Sequence, residues 1–115
     1  MKNRLIFLFL LFAIVTLNSC YQKSQTVVIT DFSNSIIDTL KAKKSGHYGA
    51  AIMEIEGHSN DTIIISFYNF KRKFSGNFKK SINMDFYGGL NSHVIFKFNP
   101  YKATSGEIKV KYGIY

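Results

Sequence analysis

Glu107-Ile108-Lys109-Val110-Lys111-Tyr112-Gly113-Ile114 decides the fold class, because every second residue is apolar and the residues between are charged or glycine. Successive side chains of a strand point to opposite faces, so this period of two gathers Ile108, Val110, Tyr112 and Ile114 on one buried face and leaves the lysines in water. A helix would scatter the same residues around its circumference. The alternation recurs upstream, with Phe78, Ile82, Met84 and Phe86 set against Lys79, Ser81, Asn83 and Asp85. Val94, Phe96 and Phe98 likewise share a parity that leaves Lys97 and Asn99 outside. Residues 62–67, Thr-Ile-Ile-Ile-Ser-Phe, form a denser apolar run of the kind shown by a central strand covered on both faces.

Turn-forming residues stand between these runs: Gly-His-Ser-Asn-Asp at 57–61, Ser-Gly-Asn at 75–77, Gly88-Gly89, Asn99-Pro100 and Ser105-Gly106. Each supplies Gly, Asn or Asp where a backbone must reverse or take a positive φ. Short strands with such spacing predict an all-β domain, a small antiparallel β-sandwich or flattened barrel over residues 26–115. Residues 33–44 carry Ile36, Ile37 and Leu40 without a clean period and are expected to be extended or loop.

The N-terminus has a different grammar. A short positive region with Lys2 and Arg4 precedes 11 continuous apolar residues from Leu5 to Val15, and polar or small residues then lead into Cys20. That is the layout of a secretory signal peptide, an apolar helix over part of residues 1–19 that is removed on export. At Leu17-Asn18-Ser19-Cys20 the segment resembles a lipobox, the tetrapeptide that marks bacterial lipoproteins. The resemblance implies cleavage before Cys20 and attachment of a diacylglyceryl group to its sulfur, because a thiol is nucleophilic enough to form the thioether. Two or three fatty chains, at about 0.8 kcal/mol per buried methylene, make a lasting membrane anchor. Residues 20–25 are then the lipidated cysteine and a polar tether. By the same resemblance, Tyr21 in place of an aspartate implies the outer membrane, with the domain expected to face the periplasm.

Cys20 is the only cysteine of the 115 residues, so no disulfide can form within the chain. The formal charge of the whole is +8. Lys2 and Arg4 fall in the leader, leaving 13 basic against 7 acidic residues, or +6. Such a balance favours anionic partners without specifying a fold.

The basic residues cluster at Lys41, Lys43 and Lys44, at Lys71, Arg72 and Lys73, and at Lys79 and Lys80, with aromatic residues on both sides of the middle group. Basic and aromatic residues together can bind single-stranded nucleic acid, but an envelope protein rarely meets it, so nucleic acid is set aside as a partner. Lys71, Arg72 and Lys73 fit anionic lipid or acidic polymers better, and a solvated hairpin tip that guards a strand edge is the plainer alternative. Tyr87 and Tyr101, beside turns, are the aromatic candidates for binding.

His47, His58 and His93 are widely spaced and have no cysteine partners, so no metal motif is present, and no cofactor motif appears. Glu54 and Glu56, two apart on one strand face, could act as an acid and base pair or hold calcium. The same pattern is what a solvent-facing strand ordinarily shows, and that reading is preferred. These readings describe a membrane-anchored, non-catalytic binding or structural module, with an envelope protein, glycan or anionic lipid as candidate partner. The alternative is an inhibitor or immunity protein that neutralises an envelope hydrolase or toxin.

Overall fold

The structure, a computed structural model, describes residues 23–42, 48–87 and 92–115. The leader and Cys20 lie outside the described residues, as do Lys43, Lys44, His47 and Gly88-Gly89. The described chain is all-β, with strands β1 (Lys23–Ile29), β2 (Ile36–Lys41), β3 (Ala50–Phe67), β4 (Phe70–Asp85), β5 (His93–Asn99) and β6 (Gly106–Ile114). Every pairing is antiparallel. β1 begins at Lys23, so Lys23, Ser24 and Gln25, expected in the tether, pair with Ile114, Gly113 and Tyr112. Within the ambiguous stretch 33–44, β2 forms against β5.

β3 organises the sheet. At 18 residues it is too long for one flat layer, and it bends midway. Before the bend it pairs with β6 from Ala51 to Ser59, and after it with β5 from Ile64 to Phe67, while β4 follows it on the other side throughout. The result is one curled sheet whose halves face each other, with strands changing layer at an irregular corner. The first half-sheet holds β1, β6, residues 50–59 of β3 and 76–85 of β4. The second holds β2, β5, residues 63–67 of β3 and 70–74 of β4.

The corner uses the residues that the sequence offered as turns. On β3, Asn60, Asp61 and Thr62 fall between the paired Ser59 and Ile63, opposite the single unpaired Ser75 of β4. Ser59 donates its hydroxyl to the Asp61 carbonyl at 2.8 Å, and Asp61 accepts from the Thr62 amide at 2.7 Å. Gly76, at φ 67°, supplies the left-handed residue on β4. Thus 57–61 and 75–77 bend the two strands without reversing them. The true reversal is the two-residue loop Tyr68-Asn69, with Phe67 and Phe70 paired across it.

Asn60 ties the corner to the β5–β6 loop. Its side chain donates to the Thr104 hydroxyl at 2.8 Å and accepts from the amides of Thr104 and Ser105 at 2.9 and 3.2 Å. At the same end β3 and β6 approach so closely that only glycine fits. A Cβ on Gly57, at φ 153°, would meet the Glu107 carbonyl and come within 2.8 Å of the Ile108 Cα. One on Gly106, at φ 154°, would meet the His58 carbonyl and come within 2.9 Å of the Ser59 Cα.

The core lies between the half-sheets. Met53, Ile55, Ile108, Val110, Tyr112 and Ile114 from the first meet Ile63, Ile65, Phe67, Val94, Phe96 and Phe98 from the second, all of them buried. Tyr112 crosses the gap: its ring stacks on Phe96 at 4.3 Å, leans on Phe67 at 5.7 Å, and its hydroxyl donates to Asp38 of β2 at 2.6 Å. Burial, and after it the hydrogen bond and charge of Asp38, raises the phenol pKa well above its ordinary value.

Candidate functional site

With its apolar side chains turned inward, the sheet presents its polar residues on two outer faces. On the first half-sheet the strands run β1, β6, β3, β4, and their register sets the outward residues in rows. One row reads Thr26, Lys111, Glu54, Ser81 and the next Val28, Lys109, Glu56, Lys79. Glu54 and Glu56 each stand directly opposite lysine, the cross-strand alternation of charge that stabilises a wet sheet face. Together with Thr26, Lys79 and the two β6 lysines they line a groove of about 650 Å³. Lys80 lines the same groove, and with Glu107 and Asp85 included, four carboxylates meet four lysines, Lys79, Lys80, Lys109 and Lys111, so the face is close to electroneutral.

The second half-sheet is built differently. Its rows read Asn99, Ile64, Lys73, then Ile37, Lys97, Ser66, Lys71, and at the far edge Lys41 faces His93. Among the described strand residues of this half no Asp or Glu takes an outward position; exposed Asp31 lies in the loop ahead of β2, and the nearest carboxylate along β3 is Asp61 at the corner. Lys71, Lys73, Lys97 and Lys41 are all exposed. Ile64, expected to be covered on both faces of a central strand, is only half-buried, between Lys73 and Asn99.

Tyr101 joins this face from the turn after β5. Its backbone is left-handed, at φ 53°, and its amide donates to the Asn99 side chain at 2.9 Å. Such a conformation costs a residue other than glycine about 1–2 kcal/mol. Contacts on the ring oppose that cost: Lys73 Nζ lies 5.3 Å and Lys102 Nζ 5.5 Å from its centre. Two cations thus share one half-exposed phenol.

The sequence candidates therefore divide. Lys71, Lys73 and Tyr101 come together, while Arg72 takes the opposite parity and lies over the Phe74 ring at 5.8 Å. Tyr87 follows Phe86 at the hairpin-tip end, where Phe86 meets Tyr68 edge-on at 5.4 Å, and is 84% exposed. Lys97 belongs to the cationic face without adjoining any lysine in sequence. Its signal was the β5 parity that leaves it outside.

His58 stands between Glu107 and Asn77 on the first half-sheet and borders a second groove of about 470 Å³, whereas His93 is on the outer face of the second. Among the described residues no three His, Cys, Asp or Glu side chains gather as a metal set.

The fold and its faces define a small antiparallel β protein with one cationic and one charge-balanced outer surface. No family model, curated protein or solved structure matches the chain.

Proposed function

We propose that this chain is a bacterial envelope lipoprotein, anchored through fatty chains on Cys20, whose β domain is a non-catalytic binding module. The observation that carries the reading is the position of the only cysteine, at the end of Leu17-Asn18-Ser19-Cys20 and behind a positive and then apolar leader. The start of β1 supports a short tether. Only Tyr21 and Gln22 separate Cys20 from Lys23, and three residue steps of extended chain span about 10 Å at most. A domain held that close works at the bilayer surface.

Mass spectrometry of the native mature chain tests the anchor: the expected product begins at Cys20 and carries diacylglyceryl mass. A bare thiol there, or a retained leader, refutes it. Affinity capture from detergent-solubilised envelopes tests the binding role. A wild-type bait that recovers nothing beyond an unrelated folded lipoprotein counts against it.

A further inference from the structure

We propose that the cationic outer face of the second half-sheet docks on the anionic phospholipid surface of the membrane. Lys71, Lys73, Lys97 and Lys102 would sit over headgroup phosphates, with Tyr101 and Ile37 at the depth of the headgroup boundary. This deepens the anchored reading above by naming which face meets the membrane and what it recognises there.

Charge complementarity is the first argument. The outward positions of β2, β5 and the adjoining parts of β3 and β4 hold lysines and no carboxylate, whereas the opposite face alternates lysine with glutamate. Lys71 and Lys97 flank Ser66 in one row, about 10 Å apart at ordinary strand spacing, and Lys73 stands two residues along β4 from Lys71. Compact ammonium groups spread in this way suit a plane of phosphates better than one small anion, which would call for converging donors.

The apolar residues supply the second argument. Ile37 is 68% exposed and lies in the row of Lys97, and Tyr101 is 49% exposed between two lysines. An exposed isoleucine and a tyrosine set among lysines match the headgroup boundary, where amphipathic rings and snorkelling lysines are at home.

Vesicle co-sedimentation of the full chain tests the proposal, comparing phosphatidylcholine vesicles with vesicles in which about a third of the lipid is phosphatidylglycerol. The quantity read is the ratio of the two partition coefficients, from which the apolar contribution of leader or fatty chains cancels; the charge of Lys2 and Arg4, where the leader is present, is the same in every variant compared. One lysine at an anionic surface is worth about fivefold, so Lys71→Gln, Lys73→Gln and Lys97→Gln together are expected to lower the ratio about 100-fold. Lys79→Gln, Lys109→Gln and Lys111→Gln remove the same charge from the other face and are expected to leave the ratio within about threefold. Ser66→Glu keeps every lysine but places a carboxylate between Lys71 and Lys97, and it is expected to lower the ratio by about tenfold.

Equal losses in the two triple variants would show that net charge alone acts, and no loss in the first would remove the face from membrane binding. Either result overturns the proposal, as would a wild-type ratio near one. Displacement from anionic vesicles by polyphosphate at equal phosphate concentration would reassign the face to an acidic polymer. The anchor is read separately from binding of the native chain to phosphatidylcholine, so its failure and that of the docking face remain distinct.

Discussion

Replacing Tyr112 by phenylalanine tests whether its hydroxyl helps to close the two half-sheets. The ring has 1% exposure and would keep its stacking on Phe96; only the 2.6 Å hydrogen bond to Asp38 is lost, a bond that joins residues 74 apart in the chain. A hydrogen bond to a charged group contributes roughly 1.5–3 kcal/mol, and because Asp38 is half-buried, water can partly replace the phenol. The expected cost is therefore about 1.5–2 kcal/mol. For a domain of under 100 residues this lowers Tm by roughly 6–16 °C, measurable by circular dichroism.

A second signature comes from pH. The folded state holds the phenolic proton more tightly than the unfolded chain, chiefly through burial and then through Asp38. The stability from that shift is complete below the unfolded tyrosine pKa of about 10 and is lost as pH climbs through the raised folded value. Between pH 7 and 11 the wild type should lose stability on the order of 1 kcal/mol that Tyr112→Phe does not, a difference that cancels the contributions of the other tyrosines. A variant melting within about 2 °C of wild type, with the same alkaline loss, would refute the assigned role.

Gly57→Ala and Gly106→Ala should each destabilise by more than about 2 kcal/mol in urea titrations, because the new methyl group meets backbone. Gly76→Ala, left-handed but in open space, should cost only about 1 kcal/mol. Asn60→Ala removes the side-chain bonds to Thr104 and Ser105 and should speed amide exchange of the β5–β6 loop at least tenfold, with a stability loss of about 1–2 kcal/mol. Glu56→Lys places three lysines in one cross-strand row and should cost about 0.5–1.5 kcal/mol at low salt, mostly recovered at 1 M salt.

The strands were legible wherever one face is wet. β6, β5 and the second half of β4 announced themselves by alternation, since water on one side of a sheet forces polar residues into every second position. The corner was not legible. Glycine and asparagine at 57–61 and 75–77 report that the backbone needs unusual freedom, but a bend and a reversal need the same freedom. What distinguishes them is that Ser59 pairs with Gly76 across the corner, a contact between distant residues. The actual loop, Tyr68-Asn69, lacks glycine, and Tyr68 adopts φ 55° while its ring packs against Phe86.

Charge clusters in the sequence were an incomplete guide to the cationic surface for a related reason. Lys71, Arg72 and Lys73 are adjacent, yet strand geometry sends the arginine to the other side. Lys79 lies on the same strand as Lys71 and on the same parity, but beyond the corner, where its β3 partner is Glu56; the partner of Lys71 is Ser66. The bend therefore sorts one lysine-rich strand between two surfaces. Ahead of it β3 carries Glu54 and Glu56 outward, and past it only Ile64 and Ser66 alternate between the buried positions. Because the corner falls between Ser59 and Ile63, both glutamates stay with the first half-sheet. The second is left with lysines from β4 and β5 and no outward carboxylate to balance them, so the same deformation that closes the core also segregates the charge.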